Sequence, residues 1–156
     1  MSDLLFLRRA IELAREHSAG GRGGPFGALV VCRGEVAGEG WNQVVEEADP
    51  TAHAEIKAIR EAARRKGTHL LDDCVLYASC EPCPMCLAAI YWARIPRVVF
   101  AGRSEDAGAV GFDDAVIARE LRLSWEERRI ESRQALREEA LGVLQEWKEN
   151  PEREEY

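Results

Sequence analysis

The sequence predicts an α/β fold in which helices cover a mixed sheet that contains parallel strands. Between residues 26 and 101, apolar strand patterns alternate with helical patterns in the order strand, helix, strand, helix, strand. A length of 156 residues predicts one domain over residues 1–156, which buries about 70% of its unfolded surface. With 46% hydrophobic and 31% charged residues, the composition excludes a disordered or fibrous chain.

The N-terminal part predicts a helix, a loop and a hairpin. Apolar residues recur at helical spacing over residues 3–17, and the glycine-rich stretch 20–25 ends that helix. Two strand patterns, 26–32 and 35–42, flank an Arg-Gly turn and predict a hairpin, followed by a polar loop over 43–48. The predicted N-cap of the first helix is Ser2, and its predicted inward face holds Leu4, Leu7, Ile11 and Ala14.

The remaining elements follow from N-caps, prolines and apolar periodicity. Asp49 followed by proline is typical of a helix start, and Pro84 predicts the start of another helix. In chain order the predicted elements are a helix from Pro50 to Lys66, a strand over 74–79, a helix over 84–94, a strand over 97–101, and helices over 113–123 and 136–149.

Charge and cysteine content narrow the classes of partner and compartment. A net charge of −7 argues against nucleic acid, because affinity for phosphate backbones comes from Lys and Arg. The chain shows neither a secretory signal nor a membrane-spanning apolar run, so we expect a cytoplasmic protein with no membrane partner. An odd count of five cysteines in such a chain argues against disulfides, and Cys32 and Cys74 are predicted to be plain core thiols.

The strongest chemical signal is a pair of motifs at two predicted helix starts, His53-Ala54-Glu55 and Pro82-Cys83-Pro84-Met85-Cys86. A catalytic zinc ion takes three protein ligands and keeps one position for water, and His53, Cys83 and Cys86 supply three. Glu55 is not needed as a ligand and is positioned to move protons to and from a bound water. This spacing is typical of zinc deaminases that act on bases.

Two simpler interpretations of the cysteines remain open. A structural zinc site closes with four protein ligands, and Cys80 is near enough in sequence to be the fourth. A C-x-x-C pair can also be a redox couple. The joint motif favours catalytic zinc over both.

The chain resembles the cytidine deaminase-like superfamily and, within it, bacterial guanine deaminases. The resemblance implies a three-layer α/β/α fold with a mixed sheet of about five strands. It also implies one Zn²⁺ per chain and the hydrolysis of guanine to xanthine and ammonia, a step of purine catabolism. The motifs that carry it are 50–55, 79–86, Gly24-Pro25-Phe26-Gly27-Ala28, Ala89-Ile90-Tyr91-Trp92-Ala93, Gly111-Phe112-Asp113-Asp114 and the terminal Glu155-Tyr156.

The resemblance also implies roles for single residues. Glu55 is the implied proton shuttle, and His53, Cys83 and Cys86 are the implied zinc ligands. The implied substrate contacts are Asn42 with the purine ring, Phe26 and Trp92 along the pocket, Asp114 and Tyr156 at the guanine edge, and the backbone N–H of Ala54 near the reacting carbon. From their local sequence alone, Phe26 and Trp92 are equally consistent with core packing, Asn42 with a turn, and Asp114 with a helix cap.

Quaternary structure is also implied by the resemblance. The C-terminal segment, about 136–156, is implied to be exchanged between the two subunits of a homodimer. The chain departs from the family pattern at residues 126–139, which are highly charged and predict continuous helix where the family has a short extended segment.

Related activities are the main alternatives to guanine deamination. Guanosine, another aminopurine or an aminotriazine are substrates of the same kind, and cytosine or cytidine is a further option. A tRNA adenosine deaminase shares both zinc motifs, but residues 138–156 hold seven acidic residues against Lys148 and Arg153, which repels a phosphate backbone. A non-catalytic zinc-binding module would have no use for Glu55.

Overall fold

The computed structural model describes residues 3–155. Contacts divide the chain into two compact units, residues up to Ile117 and residues from Ala118 onward, and each is described by itself. None of the described helices is both long and apolar enough to cross a membrane. The first unit holds strands β1 (Gly27–Cys32), β2 (Glu35–Trp41), β3 (Cys74–Cys80) and β4 (Arg97–Gly102), and helices α1 (Asp3–Ser18), α2 (Val44–Glu47), α3 (Ala54–Lys66), α4 (Pro84–Trp92) and α5 (Ser104–Ala109). Helix α6 (Ala115–Glu120) begins just before the boundary, and a 3-10 helix (Trp125–Glu127) and α7 (Arg137–Glu149) follow it.

The sheet is mixed, as predicted. Its strand order is β2-β1-β3-β4, with β1 antiparallel to both neighbours and β3 parallel to β4. Within the described residues it has four strands instead of about five, so β4 is an edge strand. The parallel pair brings the C-terminal ends of β3 and β4 to the same edge of the sheet.

Helices cover both faces of the sheet, which confirms the predicted three layers. Alternate strand residues face opposite sides. Leu29 and Tyr77 are cross-strand partners that pack with Phe6 and Leu13 of α1. On the other face, Val30 and its neighbours pack against α3 and α4, in a core of Ala28, Val30, Leu76, Ala78, Ala54, Ala58, Ala62 and Ile90.

Helix α3 lies unusually close to β2, because two glycines leave room for its backbone. A Cβ on Gly40 would lie 2.1 Å from the carbonyl oxygen of Ala54, and one on Gly38 would lie 2.2 Å from that of Ala58. Both alanines are fully buried. Any side chain at residues 38 or 40 would therefore push α3 away from the sheet.

The buried face of α1 differs from the predicted one. Phe6, Ala10, Leu13 and Ala14 are buried, whereas Leu4 is 61% exposed. Four consecutive apolar residues at 4–7 permit more than one helical stripe. The structure uses the stripe that packs the ring of Phe6 on Tyr77, with 5.2 Å between ring centroids. The predicted N-cap Ser2 lies outside the described residues.

The sequence predicted that helix α3 begins at Pro50, but in the structure it begins at Ala54. The Asp49 carboxylate accepts hydrogen bonds from the backbone N–H of Thr51, at 2.8 Å, and from its hydroxyl, at 2.7 Å. This local turn competes with helix formation. The preceding polar loop contains the four-residue helix α2, and α5 was not predicted at all.

The prediction of two core thiols at Cys32 and Cys74 is wrong, because these residues form a disulfide. They are direct partners in the antiparallel pairing of β1 with β3, at a sequence separation of 42. The sequence fixes neither that pairing nor its register, so it did not bring the two sulfurs together. Cys80, Cys83 and Cys86 are free thiols.

The charged segment 126–139 is not a continuous helix. Ser124 and Glu127 close a capping box around the 3-10 helix, after which Arg128 is extended, with φ −74° and ψ 150°. The Arg128 guanidinium donates to the carbonyl oxygens of Glu120 and Leu123, at 3.1 and 3.2 Å. These contacts hold the backbone out of the helical conformation, so the predicted departure from the family pattern disappears. Helix α7 matches its prediction.

No described residue from Ala118 onward is buried. Helix α7 nevertheless has an apolar stripe, in which Leu144 is 64% exposed and Trp147 is 46% exposed. A stripe of this kind ordinarily packs against another surface. The second unit therefore has no hydrophobic core of its own among its described residues.

Candidate active site

His53 and Glu55 lie at the N-terminal end of α3. His53 is the N-cap residue, with extended backbone at φ −72° and ψ 154°, and Glu55 belongs to the first turn. Ala54 between them is fully buried, and its carbonyl oxygen occupies the space that a Cβ on Gly40 of β2 would need. The close packing of α3 on the sheet thus determines where both functional side chains lie.

Cys83 and Cys86 lie at the N-terminal end of α4. Cys83 is the N-cap residue, Pro84 is in the first turn, and Cys86 is fully buried. The Nδ1 atom of His53 lies 3.5 Å from the Sγ of Cys83 and 3.6 Å from the Sγ of Cys86. Two helix N-termini therefore bring together the three residues that the sequence predicted as zinc ligands.

The cluster fits a zinc ion. All three potential ligand atoms lie within 4.8 Å of one another. Ligand atoms about 2.0–2.3 Å from a tetrahedral zinc are about 3.5 Å apart, which matches both distances from the imidazole to the thiols. Two sulfurs and one imidazole are ligands that zinc prefers, and three ligands leave the fourth position to water or substrate.

Hydrogen bonds among the two thiols and the imidazole shift the pKa values of all three groups. The Cys86 thiol, followed by the His53 imidazole, hydrogen-bonds to the Cys83 sulfur and lowers the pKa of Cys83 to about 4. The hydrogen bond with Cys83, reinforced by burial, raises the pKa of Cys86. The contact with Cys83 also raises the pKa of His53. Metal binding must therefore displace protons, and metal affinity falls as the pH falls.

Glu55 is buried beside this cluster without belonging to it. Its side chain is 7% exposed, and its Oε2 accepts a hydrogen bond from the Cys86 thiol at 3.4 Å. Burial raises the pKa of the Glu55 carboxyl above its usual range. A carboxyl group with a raised pKa takes up and releases protons closer to neutral pH, as a general acid–base requires.

Cys80 does not join the cluster. Its thiol donates to the carbonyl oxygen of Arg103 at 3.3 Å, and it is absent from the group of three close ligand atoms. Among the described residues, no fourth protein ligand closes the site, as a structural zinc centre would require.

The cluster opens into a cavity of about 610 Å³, a volume within the range of small-molecule sites. Phe26 and Phe112 form one wall, with their rings edge to face and 4.9 Å between centroids. The charged groups that line the cavity, apart from His53, are Arg22, Glu55, Glu81, Asp113 and Asp114. Four carboxyl groups against one guanidinium make the lining acidic.

Asn42 lies at this cavity and is 8% exposed. Its Oδ1 accepts hydrogen bonds from the backbone N–H of Gly24, at 3.2 Å, and of Val44, at 3.4 Å. These bonds join the glycine-rich loop to the start of α2. They occupy the amide oxygen and leave the Nδ2 amino group as the part of Asn42 that can contact a ligand.

Asp113 and Asp114 have different partners. The Asp113 carboxylate accepts from the backbone N–H of Ala115 at 3.0 Å and so caps α6. Asp114 lines the cavity and accepts a 2.6 Å hydrogen bond from the Ser104 hydroxyl. The capping role considered for Asp114 thus falls to its neighbour.

The other predicted substrate contacts are not seen to line the cavity. Ala54 is fully buried and is not among the residues that line the cavity, and its backbone N–H lies at a helix position with no intrahelical acceptor. Trp92 ends α4, is 62% exposed and is not among the residues that line the cavity. Tyr156 lies outside the described residues.

The cavity-lining residues to which the sequence gave no role include Phe112, Ser104 and Glu81. Phe112 lies in a motif that carried the family resemblance, and its aromatic ring was a usable signal. Ser104 and Glu81 follow two strand ends that become neighbours only because β3 and β4 pair in parallel. Glu81 lies within the motif 79–86 but was given no role of its own, and no local pattern indicated Ser104.

We predict that Cys80→Ser leaves the zinc content at one ion per chain, whereas Cys83→Ser and Cys86→Ser abolish it at neutral pH. The reason is that only the latter two sulfurs lie with His53 in the cluster. Metal analysis of protein dialysed with zinc measures this result. Loss of zinc from Cys80→Ser, in a protein that remains folded, would revive a closed four-ligand structural site.

Comparisons with known proteins agree with this geometry. Residues 1–102 match the family model of the cytidine and deoxycytidylate deaminase zinc-binding region. A guanine deaminase from Bacillus subtilis is 48% identical over 156 residues, which covers 100% of both chains. Its crystal structure gives a TM-score of 0.96, covering 100% of this chain and 99% of that one.

Other relatives match a smaller part of the chain. A solved complex with 2,6-diaminopurine is 39% identical, with a TM-score of 0.66, and covers 70% of this chain and 61% of that one. A tRNA-specific adenosine deaminase from Haemophilus influenzae is 42% identical over 118 residues, 72% of this chain and 68% of the relative. With the family model matched over more than half of the chain, and with a full-length relative at this identity, the chain belongs to the cytidine and deoxycytidylate deaminase zinc-binding family.

Proposed function

We propose that this protein hydrolyses guanine to xanthine and ammonia with one zinc ion per chain. The observation that carries the proposal is the buried Glu55 carboxyl, which lies beside a three-ligand cluster and faces a cavity of small-molecule size. The full-length similarity to the Bacillus subtilis guanine deaminase selects guanine among the bases that such a site can process.

In this mechanism the protein moves protons and orients the base. Zinc held by His53, Cys83 and Cys86 supplies the Lewis acid that makes water a nucleophile near neutral pH. Glu55 accepts a proton from the attacking water and passes it to N3, the ring nitrogen bonded to C2 that carries no hydrogen. Glu55 then takes the second proton of that water, from the hydroxyl now on C2, and gives it to the amine on C2. The amine leaves as ammonia, and the oxygen stays on C2 as the carbonyl of xanthine. The raised pKa of Glu55 suits a group that both takes and gives a proton.

We assign substrate binding to the groups that line the cavity. The rings of Phe26 and Phe112 offer an apolar wall to a planar base. The free Nδ2 of Asn42 is a donor for a ring acceptor, and the Asp114 carboxylate is an acceptor for the N–H groups of guanine. The backbone N–H of Ala54, the ring of Trp92 and the side chain of Tyr156 remain proposed contacts on the basis of the family resemblance.

The acidic lining supports a free base over a nucleic acid. Four carboxyl groups and one arginine line the cavity outside the histidine. A phosphate backbone would be repelled there, and also by the acidic residues 138–155. This charge distribution disfavours tRNA adenosine deamination despite the similarity of 42% to such enzymes. Guanosine, other aminopurines and aminotriazines are uncharged and remain the closest alternatives.

We further propose a homodimer in which the segment 136–156 is exchanged between subunits. Helix α7 has an exposed apolar stripe and no buried residue. In the first unit, the α4 face that includes Leu87, Tyr91 and Trp92 is exposed as well, and β4 is an edge strand. In a homodimer, a second copy of the chain can cover these exposed apolar side chains.

We also propose that the protein works in the cytoplasm. Its composition and acidic charge fit this location, whereas the Cys32–Cys74 disulfide counts against it, since such bonds are rare in the cytoplasm of mesophiles.

Glu55→Gln should keep zinc and the fold while its turnover of guanine falls by about 10²–10⁴-fold, because glutamine matches the size of glutamate but cannot carry a proton. Ammonia release from guanine measures turnover, and metal analysis measures zinc. Glu35→Gln makes the same chemical change at an exposed residue of β2 and should leave turnover unchanged. Near wild-type turnover in zinc-loaded Glu55→Gln would contradict the mechanism.

Removal of residues 152–156 should cripple turnover with little change in melting temperature. The segment has one apolar side chain, so it buries little surface, yet it carries the proposed contact Tyr156. A mixture of truncated chains with Glu55→Gln chains should regain activity, because one site of the mixed dimer then combines an intact Glu55 with a donated Tyr156.

The two parts of this prediction fail separately. Full activity of the truncated protein alone would remove the tail from the site. No recovery in a mixed dimer that has been verified by mass would keep the role of the tail but exclude its exchange.

A further inference from the structure

We infer that Ser104 is a positioning residue that orients the Asp114 carboxylate toward the substrate, an inference that rests on the proposed function. The Ser104 hydroxyl donates to Oδ1 of Asp114 at 2.6 Å, and both residues line the cavity. This short bond is made to a charged acceptor, the stronger class of hydrogen bond. It occupies one carboxylate oxygen and leaves Oδ2 for the N–H groups of a purine.

Ser104 is itself anchored to the end of the sheet. Its backbone N–H donates to the Glu81 carboxylate at 3.1 Å, just beyond β3. The backbone N–H of Glu81 donates in turn to the carbonyl oxygen of Gly102 at 2.9 Å, at the end of β4. On the other side, the Cys80 thiol donates to the carbonyl oxygen of Arg103. The backbone at Ser104 is therefore tied to the ends of two paired strands.

Asp114 lacks an equally rigid support of its own. It follows a short loop after α5, in which Gly111 has φ +98° and the Phe112 N–H donates to the carbonyl oxygen of Ala107 at 3.0 Å. Its neighbour Asp113 is committed to capping α6. The Ser104 hydroxyl is thus the contact that ties the Asp114 carboxylate to the sheet. Without it the carboxylate must be ordered by the substrate, at a cost in affinity.

The test is a double-mutant cycle of Ser104→Ala with Asp114→Ala in zinc-loaded, full-length protein. Two readouts are used, kcat/KM for guanine and the Kd of 8-azaguanine by calorimetry. Ser104→Ala should lower kcat/KM about tenfold and raise the Kd by a similar factor, while Ser104→Thr restores both. In the Asp114→Ala background the same change should have less than a twofold effect.

Ser124→Ala is the matched control, because Ser124 also donates to a carboxylate, that of Glu127, at 2.8 Å. It should stay within twofold of wild type in both readouts. If Ser104→Ala melts early, Ser104→Cys is measured in its place, since a thiol is only a weak donor.

The outcomes separate the two proposals. Two outcomes would overturn the positioning role alone, provided that the wild type turns over guanine. In the first, Ser104→Ala changes kcat/KM and Kd equally in the wild-type and Asp114→Ala backgrounds. In the second, it changes neither value in the wild-type background. A wild type that neither binds 8-azaguanine nor releases ammonia from guanine would overturn the proposed function together with it.

Discussion

Helix α3 approaches β2 until its backbone touches the strand, and the site depends on that contact. Gly38 and Gly40 have no Cβ atoms, and the backbone carbonyl oxygens of Ala58 and Ala54 occupy the space that these atoms would need. Because Ala54 lies between His53 and Glu55, the same contact that packs the core also sets the positions of the His53 imidazole and the Glu55 carboxyl. A larger residue at either glycine would displace both functional side chains together.

The second half of the site comes from α4, and the chemistry arises where the two helices meet. Both N-cap residues, His53 and Cys83, donate side chains to the cluster instead of capping their own helices. The positive end of α4 favours the thiolate of Cys83, and zinc binding must remove the protons that His53 and Cys86 hold. Glu55 is buried next to these groups, so its proton affinity is raised by the same packing that excludes water.

The sequence predicted those parts of the molecule that local chemistry determines. Paired motifs at helix starts identified His53, Glu55, Cys83 and Cys86, and apolar periodicity located the four strands and most helices. What the sequence could not predict depends on pairing between distant segments. The Cys32–Cys74 bond requires the register of β1 with β3, and the Ser104–Asp114 bond requires the parallel pairing of β3 with β4. The extended segment after the 3-10 helix was missed because its Arg128 contacts span several residues.

The chemical class of the substrate is tested most directly by parallel assays of three substrates. Zinc-loaded protein is incubated separately with free guanine, guanosine and a tRNA anticodon arm, and ammonia, xanthine, xanthosine and inosine are measured at physiological salt. We expect one ammonia per xanthine from guanine and no inosine in the RNA, because the acidic cavity admits a neutral base and repels phosphates. Inosine formed in the anticodon arm, with guanine left intact, would contradict it.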